Sequence, residues 1–353
     1  MKKLLATMIT LAVITACFAG CNSENSSDNS SVINTTSQTE STNAQEKEET
    51  TQTDSNTTTN TESVVPDVEY SPVSDFVYEF DSEIDGIRIL SYTGSATEVS
   101  IPKEIEGKNV IAIGNSNSVF KDCNLLTTVL IPDSVLYINS HAFMDCESLT
   151  TVVIPNSVTN IHNAAFENCT SLININIPSS LTKIAMDTFY NCKSLTSITI
   201  PDGVTEIGEG AFRFCSSLTS VTIPDSVTTI DELAFGACKS LPSITIPDSV
   251  TSIGVNAFTN CYLLENVTIP NSVTRIRDFA FVNCTSFTNI TIPDGVTEIG
   301  DKIFKGCTSL SSVTIPDSVT EIGEEIFLDC TSLTSIKYQG KTYNYDEWRS
   351  TFG

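Results

Sequence analysis

Cations are scarce in this chain: 18 Lys and Arg stand against 43 Asp and Glu among 353 residues, a formal net charge of -25. Such a surface repels phosphate backbones, so no nucleic-acid partner is expected. Histidine occurs only as His141 and His162, and no GxSxG, HExxH or phosphate-binding glycine loop appears. No nucleophile therefore has a base beside it in sequence, and an enzyme is not expected. Twelve cysteines include no CxxC pair, which argues against a closed metal site. Beyond the N-terminus no apolar run reaches 18 residues, so no later segment reads as a membrane-spanning helix. No cofactor or metal is expected.

What is present begins with an export pattern. Lys2 and Lys3 precede the apolar run LLATMITLAVITACFAG, which ends in small residues. The stretch FAGC, Phe18 to Cys21, resembles a bacterial lipoprotein lipobox. That resemblance implies a signal peptide over residues 1–20, lipidation of Cys21, and a protein exported and held at the outer face of a bacterial membrane. ITAC, Ile14 to Cys17, is a rival box, and the polar NSENSS directly after Cys21 favours Cys21. Residues 21–69 are rich in Ser, Thr, Asn and Glu. From residue 22 they hold ten acidic side chains and one basic, Lys47. Such a composition cannot bury enough apolar surface to fold and reads as a disordered tether.

From residue 123 to 336 the chain repeats itself. Nine prolines from Pro132 to Pro316 and ten phenylalanines from Phe120 to Phe327 keep one 23-residue step. A fixed period of this length marks a solenoid. In LTSITI, Leu195 to Ile200, Ile198 and Ile200 alternate with Ser197 and Thr199, as in a short strand with one buried face. Pro201 stops the strand and opens a turn. Val204 and Ile207 mark a second extended piece. Ala211, Phe212, Cys215 and Leu218 then fall at three- and four-residue spacing, which predicts about two turns of helix or 3₁₀ structure. One coil alone cannot offset the entropy of ordering itself, so the coils must stack on a shared core.

Ends need covers. Residues 70–122 read as an N-terminal cap, with a hairpin turning near Asp85 and Gly86 and an irregular first coil. Residues 337–353 break the repeat and read as a C-terminal cap. There Trp348 and Phe352, four apart, are placed to form a helical lid.

The repeat resembles the BspA-like, treponemal-type bacterial leucine-rich repeat. Its signature IPxxVxxIGxxAFxxCxxL stands here as IPDSVTEIGEEIFLDCTSL, Ile315 to Leu333, with Ile326 in place of Ala. YTGSATEVSIP, Tyr92 to Pro102, matches the leading coil of that family. The resemblance covers about residues 87 to 345. It implies a right-handed leucine-rich-repeat solenoid, with a parallel β-sheet on one side and short strands, turns and helical or 3₁₀ segments on the other. It also implies an exported or surface protein whose relatives include binders of host proteins.

Candidate functional residues follow from what the coil does not need. The ten periodic cysteines read as a column of buried thiols acting as small apolar groups. The aspartates after proline, Asp133, Asp202, Asp225, Asp248, Asp294 and Asp317, read as turn residues. The outward strand positions form the candidate binding face: Asn176, Ser197, Thr199, Ser220, Thr222, Ser243, Thr245, Asn266, Thr268, Asn289, Thr291 and Lys337. Departures from the repeat, Tyr190, Phe214, Tyr262, Arg275 and Arg277, are candidates for specificity. The expected role is binding of a protein or other extracellular macromolecule along an extended face, with the membrane reached through the lipid anchor. The alternative is a structural envelope component that binds wall polymer or its own copies.

Overall fold

A computed structural model of the chain describes residues 69–115, 118–120 and 123–352. The segment expected to be a signal peptide, Cys21, and nearly all of the expected tether lie outside the described residues.

The described chain is a solenoid whose coils stack with almost no change of register. Ser197–Thr199 pairs in parallel with Ser220–Thr222, so that Ser197 faces Ser220 and Thr199 faces Thr222. Ser243–Thr245 pairs likewise with Asn266–Thr268, and Asn289–Thr291 with Ser312–Thr314. A second parallel sheet is built from the two-residue VTEIG-type pieces and runs over seven strands, from Lys183–Ile184 to Glu321–Ile322. Between the sheets lies one continuous core. Each coil contributes the same side chains to it; Val204, Ile207, Ala211, Phe212, Cys215 and Leu218 are all fully buried. Phe120 to Phe327 stack ring on ring at 4.9–5.9 Å between centroids.

The Ser/Thr sheet is not continuous. Its strands fall into separate groups, one break lying between Ser220–Thr222 and Ser243–Thr245. The amide of Thr219 donates to the Thr196 carbonyl at 2.8 Å. One coil later Pro242 stands at the equivalent position and has no N–H to give, so the ladder lapses there.

The segment from Ala211 to Leu218 is not helical, which corrects the expectation drawn from its spacing. It is a run of turns. Gly210, Phe212 and Phe214 donate their amides to Glu232, Ala234 and Gly236 of the next coil at 2.8–2.9 Å. Ala211, Arg213 and Cys215 donate back within the coil, to Gly208, Gly210 and Phe212 at 2.9–3.2 Å. Alternate N–H groups thus point along the solenoid axis, whereas a helix would use all of them internally. The alternation requires two residues per coil in the left-handed region, here Gly210 at φ 60° and Phe214 at φ 63°. The apolar spacing is the same in either arrangement, and sequence periodicity could not separate them.

Both caps take the expected form. Phe76–Asp81 and Gly86–Tyr92 make an antiparallel hairpin with Asp85 at positive φ. Phe76 and Tyr92 extend the aromatic stack to Phe120. At the other end the helix Tyr345–Phe352 sets Trp348, 4% exposed, edge-on to Phe327 at 5.6 Å. Asn344 caps that helix, as its Oδ1 accepts from the Glu347 amide and the Glu347 carboxylate accepts from the Asn344 amide, each at 2.9 Å.

Candidate binding surface

Two kinds of hydroxyl column bear on the candidate face. In the first, each donates to a carbonyl of the preceding coil. Thr205, Thr228, Thr274, Thr297 and Thr320 donate in this way to Thr182, Thr205, Thr251, Thr274 and Thr297. Ser157, Ser226, Ser272 and Ser318 do the same to Val135, Val204, Val250 and Val296 at 2.6–2.8 Å. These serines tie down the Pro-Asp-Ser and Pro-Asn-Ser turns, while the six aspartates beside the prolines are all exposed. The side-chain bond at this turn therefore comes from the serine.

The second kind is the outward face of the Ser/Thr sheet. Ser197, Thr199, Ser220, Thr222, Ser243, Thr245, Thr268 and Thr291 are exposed. Among the described residues none of their hydroxyls has a hydrogen-bonding partner within the protein. Asn266 is exposed and equally uncommitted, and Asn289 reaches only its neighbour, the Thr288 hydroxyl. Within each paired group of strands the register sets these groups side by side, Ser197 beside Ser220, Thr245 beside Thr268 and Thr291 beside Thr314.

Asn176 does not join them. It is half-buried; its Oδ1 accepts from the Ile154 amide at 3.2 Å and its Nδ2 donates to the Ile154 carbonyl at 2.6 Å. The side chain replaces a backbone bridge between coils, where the strand Asn174–Ile175 is only two residues long. Lys337 is exposed and in register with Thr314, at the end of the face. The adjacent Tyr338 is buried in the cap, with its hydroxyl on the Val319 carbonyl.

The departures from the repeat do not share this face. Tyr190 and Phe214 come together from adjacent coils on the turn side, edge to face at 5.4 Å. Arg213 lies over both rings, 4.8 Å from Phe214 and 5.8 Å from Tyr190. Sequence reasoning missed Arg213; its signal was a cation beside an aromatic that already broke the pattern. Tyr262 lies under Lys239 at 5.9 Å, a second residue missed. Arg275 belongs to the second sheet and pairs with Glu298 at 2.9 Å, while Arg277 is exposed two residues on.

The thiols lie beneath these surfaces. Nine of them, Cys146 to Cys330, each donate to the carbonyl of the preceding coil's phenylalanine at 3.1–3.5 Å. Burial pushes Cys215, Cys261 and Cys330 up to about 12, and raises the other six as well. Such thiols are neutral and unreactive at ordinary pH. Among the described residues no group of three or more His, Cys, Asp or Glu is placed to hold a metal ion.

Comparison with known proteins agrees with this geometry. Residues 113–241 and 228–348 match the model of the BspA type leucine rich repeat region. The chain is similar to a leucine-rich repeat protein from Bacteroides ovatus, at 33% identity over 75% of this chain and 70% of that one, with a TM-score of 0.69. It is also similar to the T. pallidum leucine rich repeat protein, at 34% identity over 56% of this chain and 92% of that one, with a TM-score of 0.52. Among curated proteins no match is found.

Proposed function

This chain belongs to the BspA-type leucine-rich-repeat family, and on that premise we propose that it is a surface-displayed binding protein. The coils hold a rigid face out from a membrane anchor at Cys21, on the acidic tether of residues 21–69. The face mediates adhesion or protein–protein contact through many weak hydrogen bonds. One observation carries the reading. The fold uses the threonine column of the second sheet and the turn serines to join coils, yet among the described residues leaves the rows from Ser197 to Thr291 exposed and uncommitted. A rigid face with its donors already in place loses little entropy on binding, which suits it to a large, flat partner. No chemistry beyond non-covalent contact enters the proposal.

The test is a parallel retention assay of the mature chain on immobilised host extracellular proteins and on purified cell wall. Retention by host protein supports adhesion; retention by wall alone would reject it for the structural role. The intact mass of membrane-extracted protein checks the anchor. A mass that begins at an acylated Cys21 is expected, and an unlipidated chain would remove that part of the proposal.

A further inference from the structure

On the turn side, the coils between Tyr190 and Leu263 carry a strip unlike the rest of the rod. It contains Tyr190, Lys193, Arg213, Phe214, Lys239 and Tyr262, three cations and three aromatic rings within a chain of net charge -25. Among the described residues Lys193, Arg213 and Lys239 make no ion pair, whereas Arg275 and Lys302 are paired with Glu298 and Glu325. Asp187 is close enough to feel Arg213 without pairing with it. Beside the strip Tyr262 and Leu263 are exposed, Leu263 by 53%.

The backbone pays a conformational penalty to present this strip. In the position before each cysteine from Cys146 to Cys330 the residue is left-handed, and Asp145, Asn168, Asn191, Asn260, Asn283, Gly306 and Asp329 fill it suitably. Asn191 donates to Asn168 and Asn283 to Asn260, each at 2.8 Å, forming an amide ladder. Phe214 breaks that ladder with a bulky left-handed residue, strained where an asparagine would fit.

We propose that this strip is the docking site for a carboxylate-rich protein segment. Arg213 lies in the corner between the Tyr190 and Phe214 rings, 4.8 Å from Phe214 and 5.8 Å from Tyr190, so its charge is already localised there when a carboxylate arrives. The cation over Phe214 takes up a face of that ring on which a sugar would stack, which favours an acidic peptide over an acidic glycan. Exposed Tyr262, Leu263 and half-buried aromatics beside unpaired cations match the composition of energetic centres in protein interfaces. The inference rests on the reading of the solenoid as a binding module, and it adds a partner class at a surface separate from the Ser/Thr sheet.

The test uses the full chain and a short fluorescein-labelled oligoglutamate peptide at low ionic strength, read by anisotropy. Wild type binds, and added salt weakens binding. The double variant Arg213→Gln/Lys239→Gln loses affinity by about tenfold or more, while Arg275→Gln/Arg277→Gln stays within about twofold of wild type. Arg213→Lys keeps the charge but loses the fork, and falls between them. Equal loss in both double variants, or no binding by wild type, overturns the proposal. Stronger binding of oligogalacturonate than of oligoglutamate overturns it in favour of a glycan. Unchanged melting temperatures show that the variants fold. If the peptide fails while host-protein retention persists, only the strip is lost; if both fail, the binding reading itself falls.

Discussion

At the scale of single residues, the cysteines show why one side chain recurs in every coil. A serine there would bury a stronger polar group, and a valine would crowd the phenylalanine column; the thiol is small and still donates weakly to a carbonyl. The linkage is testable. Each buried thiol titrates near pH 8.5 in the unfolded chain and far higher in the fold. Its stabilising effect is therefore complete below that pH and lost as pH rises toward about 12, at up to ~1.4 kcal/mol per pH unit per thiol. With nine such groups, melting temperature should fall steeply above pH of about 9, and a flat profile to pH of about 11 would contradict the buried-thiol column. The asparagine ladder gives a second expectation. Ala237 is left-handed at φ 59° and precedes Asn260 in that column. Ala237→Asn should raise stability by roughly 0.5–1 kcal/mol, measured by urea denaturation.

At the scale of the element, strands, caps and buried positions were legible in the sequence because each leaves a periodic apolar trace. The turn segment was not. Leu233, Phe279 and Lys302 occupy left-handed positions that their residue types disfavour, so no local preference announces them. Nor does sequence separate the bonded threonines from the uncommitted ones, since Thr228 and Thr222 sit in equally polar contexts and differ only in which carbonyl lies nearby. Asn176 reads as a face residue for the same reason, and only geometry reveals its pairing to Ile154. The C-terminal cap offers a direct test of the element-level account. Trp348→Ala removes the edge contact that closes the aromatic stack and should cost ~3–5 kcal/mol locally. In a repeat protein the damage should stay near the end. Amides of the strands Ser312–Thr314 and Ser335–Tyr338 should exchange faster, with those of Ser197–Thr199 unchanged. Uniform acceleration along the rod would show that the coils unfold as one unit.

At the scale of the whole molecule, a repeated coil makes a scaffold, and function is left to positions that scaffold does not need. The rows from Ser197 to Thr291 are such positions because, among the described residues, their hydroxyls have no partner, while neighbouring columns hold the coils together. The measurement that tests this most directly is retention on immobilised host extracellular protein by the triple variant Thr222→Glu/Thr245→Glu/Thr268→Glu, compared with wild type. Wild type should be retained, and the variant should bind at least about tenfold more weakly while staying folded, with a modest loss of stability because the substitutions at 245 and 268 set like charges opposite each other. Equal retention by both proteins, with the variant shown to be folded, would contradict the assignment of binding to that face.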